Sequence, residues 1–385
     1  MSSQGGDAAS SLMDISVDRV DLLKELSITQ SVIERKSTVP ILSNFLFEAA
    51  NGNLMISASD LELSLRTFCP AKVSSPGCCT VPGRKLREYI RLLDGERLTL
   101  RSLANDWVQL RAGKSLTKLA GLPYKNFPRL PLYPSKAAVK LPAPIFRALI
   151  SKTFFAICQE ESRYTLNGAL LIVQPTMITM VTTDGNRLAH VQASTLVEGL
   201  ATPEMRVLIP KKALSEIGRL VSLGEVEMLE FAKDTSTLYF RIGRRLLTCR
   251  QLAGSFPNYE SILPREYKRS VILPSAEAFQ AIQRVSQLCD DTSAAVKVRL
   301  QTSQFCLSSN SPSIGEAEEI LNTEYSGEAL SSAFNPRFLM EFLKAANTDN
   351  VEFHFKDSTS ATELRPVKPA GADGNYRYIV MPIRT

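Results

Sequence analysis

The side chains best equipped for chemistry are few, and their spacing fits no reaction. Gly113-Lys114-Ser115 matches the end of a phosphate-binding loop, but that loop needs another Gly at position 108, where Val108 stands in the strand-like run from Trp107 to Leu110. The fragment therefore reads as a turn. No glycine-rich dinucleotide fingerprint follows a strand, and no GxSxG nucleophile elbow occurs. Asp290 with Asp291, and Glu316 with Glu318 and Glu319, lack the loop pattern of a calcium site and read as surface acids. Asp184 sits in Thr183-Asp184-Gly185, where a short carboxylate bonds its own backbone in a tight turn. His190 and His354 are too few for a histidine-rich metal site. The seven cysteines are odd in number and form no CxxC pair, the usage of free thiols in a reducing compartment. No catalytic residue, metal centre or cofactor is expected.

What the chain does offer is positive charge on repeated elements. Val81-Pro82-Gly83-Arg84-Lys85-Leu86, Ile209-Pro210-Lys211-Lys212-Ala213-Leu214 and Asn335-Pro336-Arg337-Phe338-Leu339 set a proline and a basic residue before an amphipathic run, at spacings of 128 and 126 residues. Leu42-Ser43-Asn44 with Ser59-Asp60-Leu61 has its partner in Leu166-Asn167-Gly168 with Thr183-Asp184-Gly185. Phe127-Pro128 answers Phe256-Pro257, and Val139-Lys140-Leu141-Pro142 answers Val271-Ile272-Leu273-Pro274. Three domains of one topology follow, at 13–134, 135–264 and 265–385. Each copy reads as two helices backed by antiparallel sheet, an α+β architecture, with hairpin turns at Asn51-Gly52 and Asp184-Gly185.

The helices are expected at 18–27, 83–93, 143–152, 211–221, 275–288 and 336–347. They hold 14 of the 45 Lys and Arg but only seven of the 39 Asp and Glu. Helices repeated on one face would present phosphates with charge that reads no bases. No apolar run approaches the roughly 20 residues that cross a bilayer, and the start lacks a basic region followed by an apolar core, so a cytoplasmic protein is expected.

The repeats, with Val39-Pro40-Ile41-Leu42-Ser43-Asn44, Arg163-Tyr164-Thr165-Leu166-Asn167-Gly168, Thr183-Asp184-Gly185-Asn186-Arg187-Leu188, Phe256-Pro257-Asn258-Tyr259, Gly315-Glu316-Ala317-Glu318-Glu319 and Val380-Met381-Pro382-Ile383-Arg384, resemble the bacterial sliding clamps, the β subunits of DNA polymerase III, over residues 13 to 385. The resemblance implies a head-to-tail homodimeric ring that encircles duplex DNA without reading sequence, and it leaves residues 1–12 as a flexible N-terminal extension. It implies a non-catalytic processivity factor, opened by a clamp loader and associated with the nucleoid, that tethers the replicative polymerase and repair proteins. A clamp-like protein that binds partner peptides without encircling DNA is the other reading, and it predicts a persistent monomer.

Carried over position by position, the resemblance implies DNA contacts at Lys36, Arg84, Glu160, Tyr164 and Thr165. It implies a peptide-binding pocket between the second and third domains at Leu166, Thr183, Gly185, Asn186, Arg187, Leu188, Pro257, Ile262, Ala361, Ile379, Met381, Pro382, Ile383 and Arg384. Leu288 falls at the implied dimer contact. Taken singly, Leu188 and Ile379 also read as core. This chain departs from the family pattern at Glu160, where a neutral residue is usual, and at Thr165, where an aromatic is usual. It departs again at Asn186 for His, Ser261 for Arg and Thr385 for Leu, and its net charge of +6 contrasts with a generally acidic family.

Overall fold

A computed structural model describes residues 12–33, 38–134, 138–289, 295–367 and 375–383. The expected extension over 1–12 therefore lies outside the described residues apart from Leu12. The helices are α1 (Arg19–Thr29), α2 (Gly83–Leu92), α3 (Ala143–Thr153), α4 (Lys211–Val221), α5 (Ser275–Ser286) and α6 (Pro336–Ala346), each within two residues of expectation. Local chemistry sets their ends. Asp18 caps α1 by accepting from the backbone N–H groups of Val20 (2.8 Å) and Asp21 (3.0 Å). Asn335 caps α6 in the same way, with Pro336 in its first turn and Asn347 closing it in the left-handed region. Gly83 opens α2 close against Ile33 and Phe45, where an added Cβ would stand 2.3 Å from Ile33 Cδ1 and would push that side chain aside.

One feature departs from expectation. Each copy begins with a strand, Asp14–Asp18, Val139–Pro142 or Arg269–Pro274, and the helix follows it. The expected helices at 18–27, 143–152 and 275–288 leave these preceding strands unassigned. Asp14–Asp18 alternates buried and half-buried as a strand does, and Asp18 stops it by capping α1.

The described chain divides into two compact units. One spans Met1–Ala143 and Ser215–Arg250. Its sheet has 12 strands, and a continuous path runs Ser115–Ala120, Trp107–Ala112, Arg97–Ser102, Asp14–Asp18, Leu63–Ser75, Arg245–Arg250, Thr237–Ile242, Met228–Lys233, Val139–Pro142. Asn44–Ala50, Asn53–Ser59 and Gly77–Pro82 branch from Leu63–Ser75. The hairpin at Asn51 and Gly52 forms as expected, both residues having positive φ. Gly113 and Lys114 also form a turn, closing the hairpin of Ala112 and Ser115. A buried clasp ties α1 to the strand Arg245–Arg250. Arg245, 2% exposed, donates to both oxygens of Glu25 (3.1 and 2.7 Å) and to Glu225 (2.6 Å), while Thr67 donates to Glu25 (2.6 Å).

The other unit spans Pro144–Leu214 and Gln251–Thr385. It holds an eight-stranded sheet ordered Met205–Pro210, Gly168–Gln174, Met177–Thr183, Arg187–Ser194, Asn375–Val380, Thr362–Pro366, Asn350–Phe355, Arg269–Pro274. A four-stranded sheet runs Gly315–Asn322, Gln304–Ser311, Val296–Gln301, Leu330–Phe334. Both sheets are antiparallel throughout, as expected of an α+β chain. Phe305, Phe334, Phe342, Phe353, Phe355 and Tyr378 are fully buried in this unit.

Candidate functional site

Two groups of residues stand out, one basic and one apolar. On the helices of the first unit, Arg84, Arg87 and Arg219 line a cavity of about 380 Å³ with Ser27, Gln30, Ser31 and Ile33. Arg87 is tied to Ser27 Oγ (3.0 Å), and Arg219 donates to the Ile28 carbonyl and Ser31 Oγ (both 2.7 Å) while pairing with Glu216. Arg84 is exposed. Among the described residues, Arg84, Arg91, Arg147 and Lys344 have no carboxylate partner, so their charge faces solvent. Lys24, Lys85, Arg284 and Arg337 do have partners, at Glu225, Glu88, Glu319 and Glu341. Lys36 lies outside the described residues. Position-by-position resemblance misses Arg87 and Arg219, although both count among the helix bases.

In the second unit, Glu160, Tyr164 and Thr165 share one loop. Its 3₁₀ segment Glu161–Leu166 leaves Tyr164 58% exposed. Glu160 pairs with Arg163 at 3.2 Å, so its acid is partly neutralised by its own loop. Thr165 and Tyr164 both approach Gly254, whose φ is +96°.

The apolar group is built by strand register. Thr183 pairs with Leu188 across a tight turn, and Arg187 and Leu188 face Val380 and Ile379 of the last strand. Asp184 bonds its own backbone as expected, accepting from the N–H groups of Asn186 (3.0 Å) and Arg187 (3.1 Å). Thr183 Oγ1 donates to the Arg187 carbonyl (2.6 Å) and accepts from Gly185 N–H (3.1 Å), with Gly185 at φ +92°. Beyond the strand, Met381 N–H donates to the Asn186 carbonyl (2.8 Å) and Ile383 N–H to the Ala333 carbonyl (2.8 Å). Residues 381 to 383 are thus pinned between the turn and the strand Leu330–Phe334.

Leu188 and Ile379 are buried and join Leu170, Ile172, Val181, Leu208 and Tyr259 in one apolar cluster, with Ala361, Phe256 and Leu263 packed on it. They form floor. Met381 and Ile262 are about two-fifths exposed and form the accessible apolar surface. Pro257 lines an adjoining cavity of about 470 Å³ with Leu170, Leu208, Phe256 and Tyr259. Leu166 is nearly buried, its carbonyl accepting from Cys158 N–H (3.1 Å), while Pro382 and Ile383 are half-buried. Arg384 lies outside the described residues. Arg187 is itself buried, its charge met by Asp184 and Glu341. The site joins a greasy floor, an adaptable methionine and backbone polar groups, which suits short apolar peptides.

Each sheet ends in edge strands, and two of them carry an exposed aliphatic side chain near charged neighbours. Ser115–Ala120 ends the sheet of the first unit, and Gly315–Asn322 ends the four-stranded sheet of the second. Leu116 and Ile320 stand exposed on them. Leu288 is half-buried just beyond α5, whose Arg284 pairs with Glu319 on Gly315–Asn322. Among the described residues no group of His, Cys, Asp and Glu could hold a metal ion, and no helix is long and apolar enough to cross a membrane.

Comparison with known proteins gives three consecutive family matches. Residues 13–131 match the N-terminal domain of the DNA polymerase III beta subunit, 140–258 its central domain, and 260–384 its C-terminal domain. The beta sliding clamp of Synechococcus elongatus is 31% identical over 371 residues, covering 94% of this chain and 97% of that protein. That of Caulobacter vibrioides is 31% identical over 380 residues, covering 97% and 100%. Among solved structures, the sliding clamp of Bartonella birtlesii bound to griselimycin is similar with a TM-score of 0.91 at 30% identity, covering 97% of this chain and all of that one.

Proposed function

The chain belongs to the family of the DNA polymerase III beta subunit, the bacterial sliding clamps, and from this we propose how its own residues do that work. It is a non-catalytic processivity factor. Two copies close head to tail around duplex DNA and tether the replicative polymerase, the clamp loader and other proteins that carry clamp-binding peptides. The observation that carries this is the run of three family matches over 13–131, 140–258 and 260–384.

Three domains, 13–134, 135–264 and 265–385, supply the six helices. Arg84 and the other unpaired helix bases meet phosphate, with Lys36 and the Glu160–Thr165 loop at the edge of the duplex. Such contacts exchange among equivalent phosphates, so the ring slides while its closure prevents escape. The head-to-tail contact joins the edge strands Ser115–Ala120 and Gly315–Asn322. Lys114 and Lys118 at Ser115–Ala120 meet Glu316, Glu318 and Glu319 of Gly315–Asn322 from the second copy, with Leu116, Ile320 and Leu288 between them. The pocket of Leu166, Thr183, Gly185, Asn186, Leu188, Pro257, Ile262, Ala361, Ile379, Met381, Pro382, Ile383 and Arg384 receives the peptide, with Arg187 behind it. The protein works in the cytoplasm, at the nucleoid.

The test is topological. Protein loaded by the cognate loader onto nicked circular DNA should stay bound through gel filtration and be lost within minutes once the circle is linearised. Equal retention on both forms would rule out a closed ring.

A further inference from the structure

The pocket proposed above has a wall, the turn from Thr183 to Arg187, whose shape is held by one acid within the turn and one on α6, neither of them among the proposed peptide contacts. Arg187 is only 5% exposed, and each of its three nitrogens is engaged. Nε donates to Asp184 Oδ2 (2.9 Å), Nη2 to the Phe155 carbonyl (2.7 Å), and Nη1 to Glu341 Oε2 on α6. The face of the guanidinium lies over Phe338, 4.2 Å from the ring centre. Asp184 spends its other oxygen on the turn backbone, and Glu341 spends its other oxygen on Arg337 Nε (2.9 Å).

We infer that Asp184 and Glu341 are positioning residues for the peptide pocket, acting through Arg187, and that Arg187 itself gives no hydrogen bond to the peptide. The inference rests on the pocket reading. A buried guanidinium fixed by two carboxylates and a carbonyl keeps one orientation, because any other would leave a buried charge unpaired. That orientation ties the turn to α6. The carbonyl of Asn186 then accepts from Met381 N–H, so the turn sets where the exposed Met381 side chain stands. Removing Glu341 frees Arg187 to swing, and the methionine loses its fixed place although no residue lining the pocket has changed.

The test uses the full-length protein and a fluorescein-labelled peptide carrying the clamp-binding segment of the replicative polymerase, read by anisotropy. Glu341→Gln and Asp184→Asn should each weaken binding about tenfold, or about 1.4 kcal/mol. In a Met381→Ala background the same substitutions should change affinity less than twofold, because the group they position is gone. Unchanged affinity in both single variants, or equal losses in both backgrounds, overturns the inference. A merely structural role would give equal losses. Should Glu341→Gln fail to fold, Asp184→Asn carries the comparison alone, since it keeps the turn's acceptor oxygen. A wild-type protein that ignores the peptide overturns the pocket itself. One that binds but is indifferent to Glu341 and Asp184 overturns only the positioning role.

Discussion

Among the described residues, buried charge is confined to a few side chains, each met by a partner of opposite sign or left neutral. Glu363 is fully buried between Arg365 and Arg377, and Arg245 between Glu25 and Glu225. Glu225 is held down to a pKa of about 2, first by the hydrogen bond from Arg245 and then by Lys24. His190 takes the other course. It lies opposite Arg377 in the sheet, beside the Tyr259 ring and near Glu363, and burial followed by the Arg377 charge pushes its pKa down to about 4. An unfolded chain binds that proton near pH 6.5, so unfolding takes up a proton between the two values. The stability from neutral His190 is complete above about pH 6.5 and drains as pH falls toward 4, by roughly 3 kcal/mol. His190→Gln should therefore flatten the fall of the urea midpoint between pH 6.5 and 4.5, and parallel profiles for the two proteins would refute it. His354, also lowered by burial, titrates in both proteins and cancels in the difference. None of this pairing is legible in residue types. The exposed arginines of the helices could be counted from the sequence, whereas Arg187 and Arg245 look the same until register places them inside.

Elements were more legible than side chains. All six helices fall where proline, cap and apolar period put them, because those signals act within one turn of chain. The entry strands Asp14–Asp18, Val139–Pro142 and Arg269–Pro274 were hidden for the opposite reason. Runs of four to six residues carry too few alternations to separate strand from helix, and only their neighbours in the sheet decide. Two of the edge strands, Ser115–Ala120 and Gly315–Asn322, give the element-scale prediction. An added acid opposite Glu316, Glu318 and Glu319 repels across the proposed contact and blunts an edge. Leu116→Asp should thus reduce the mass by light scattering from twice 42.5 kDa toward 42.5 kDa, with far-ultraviolet circular dichroism unchanged. A mass that stays at the doubled value would remove these strands from the interface.

At the scale of the whole chain, the repeat and the compact unit do not coincide. The sequence divides by threes, while Val139–Pro142 and the three strands of 228–250 complete a sheet that Asp14–Asp18 and Leu63–Ser75 begin. Leu63 to Arg66 pair with Leu246 to Cys249, and Glu25 closes on Arg245 across 220 residues. Glu25→Gln should cost the full-length protein about 3 kcal/mol, since it leaves Arg245 buried with one partner fewer. In full-length protein already carrying Arg245→Met, the same change should cost much less by urea denaturation, because the charge Glu25 holds is gone. Equal losses in the two backgrounds would show that the Glu25–Arg245 pair contributes nothing of its own.

The shared sheet also bears on how such proteins can be recombined. A chimera that exchanges one whole repeat for a relative's, cut at the linkers, severs a backbone ladder and a clasped ion pair at once. One whose crossovers keep 228–250 with the N-terminal 143 residues leaves both intact, so viable hybrids should follow the ladder and not the reading frame of the repeats.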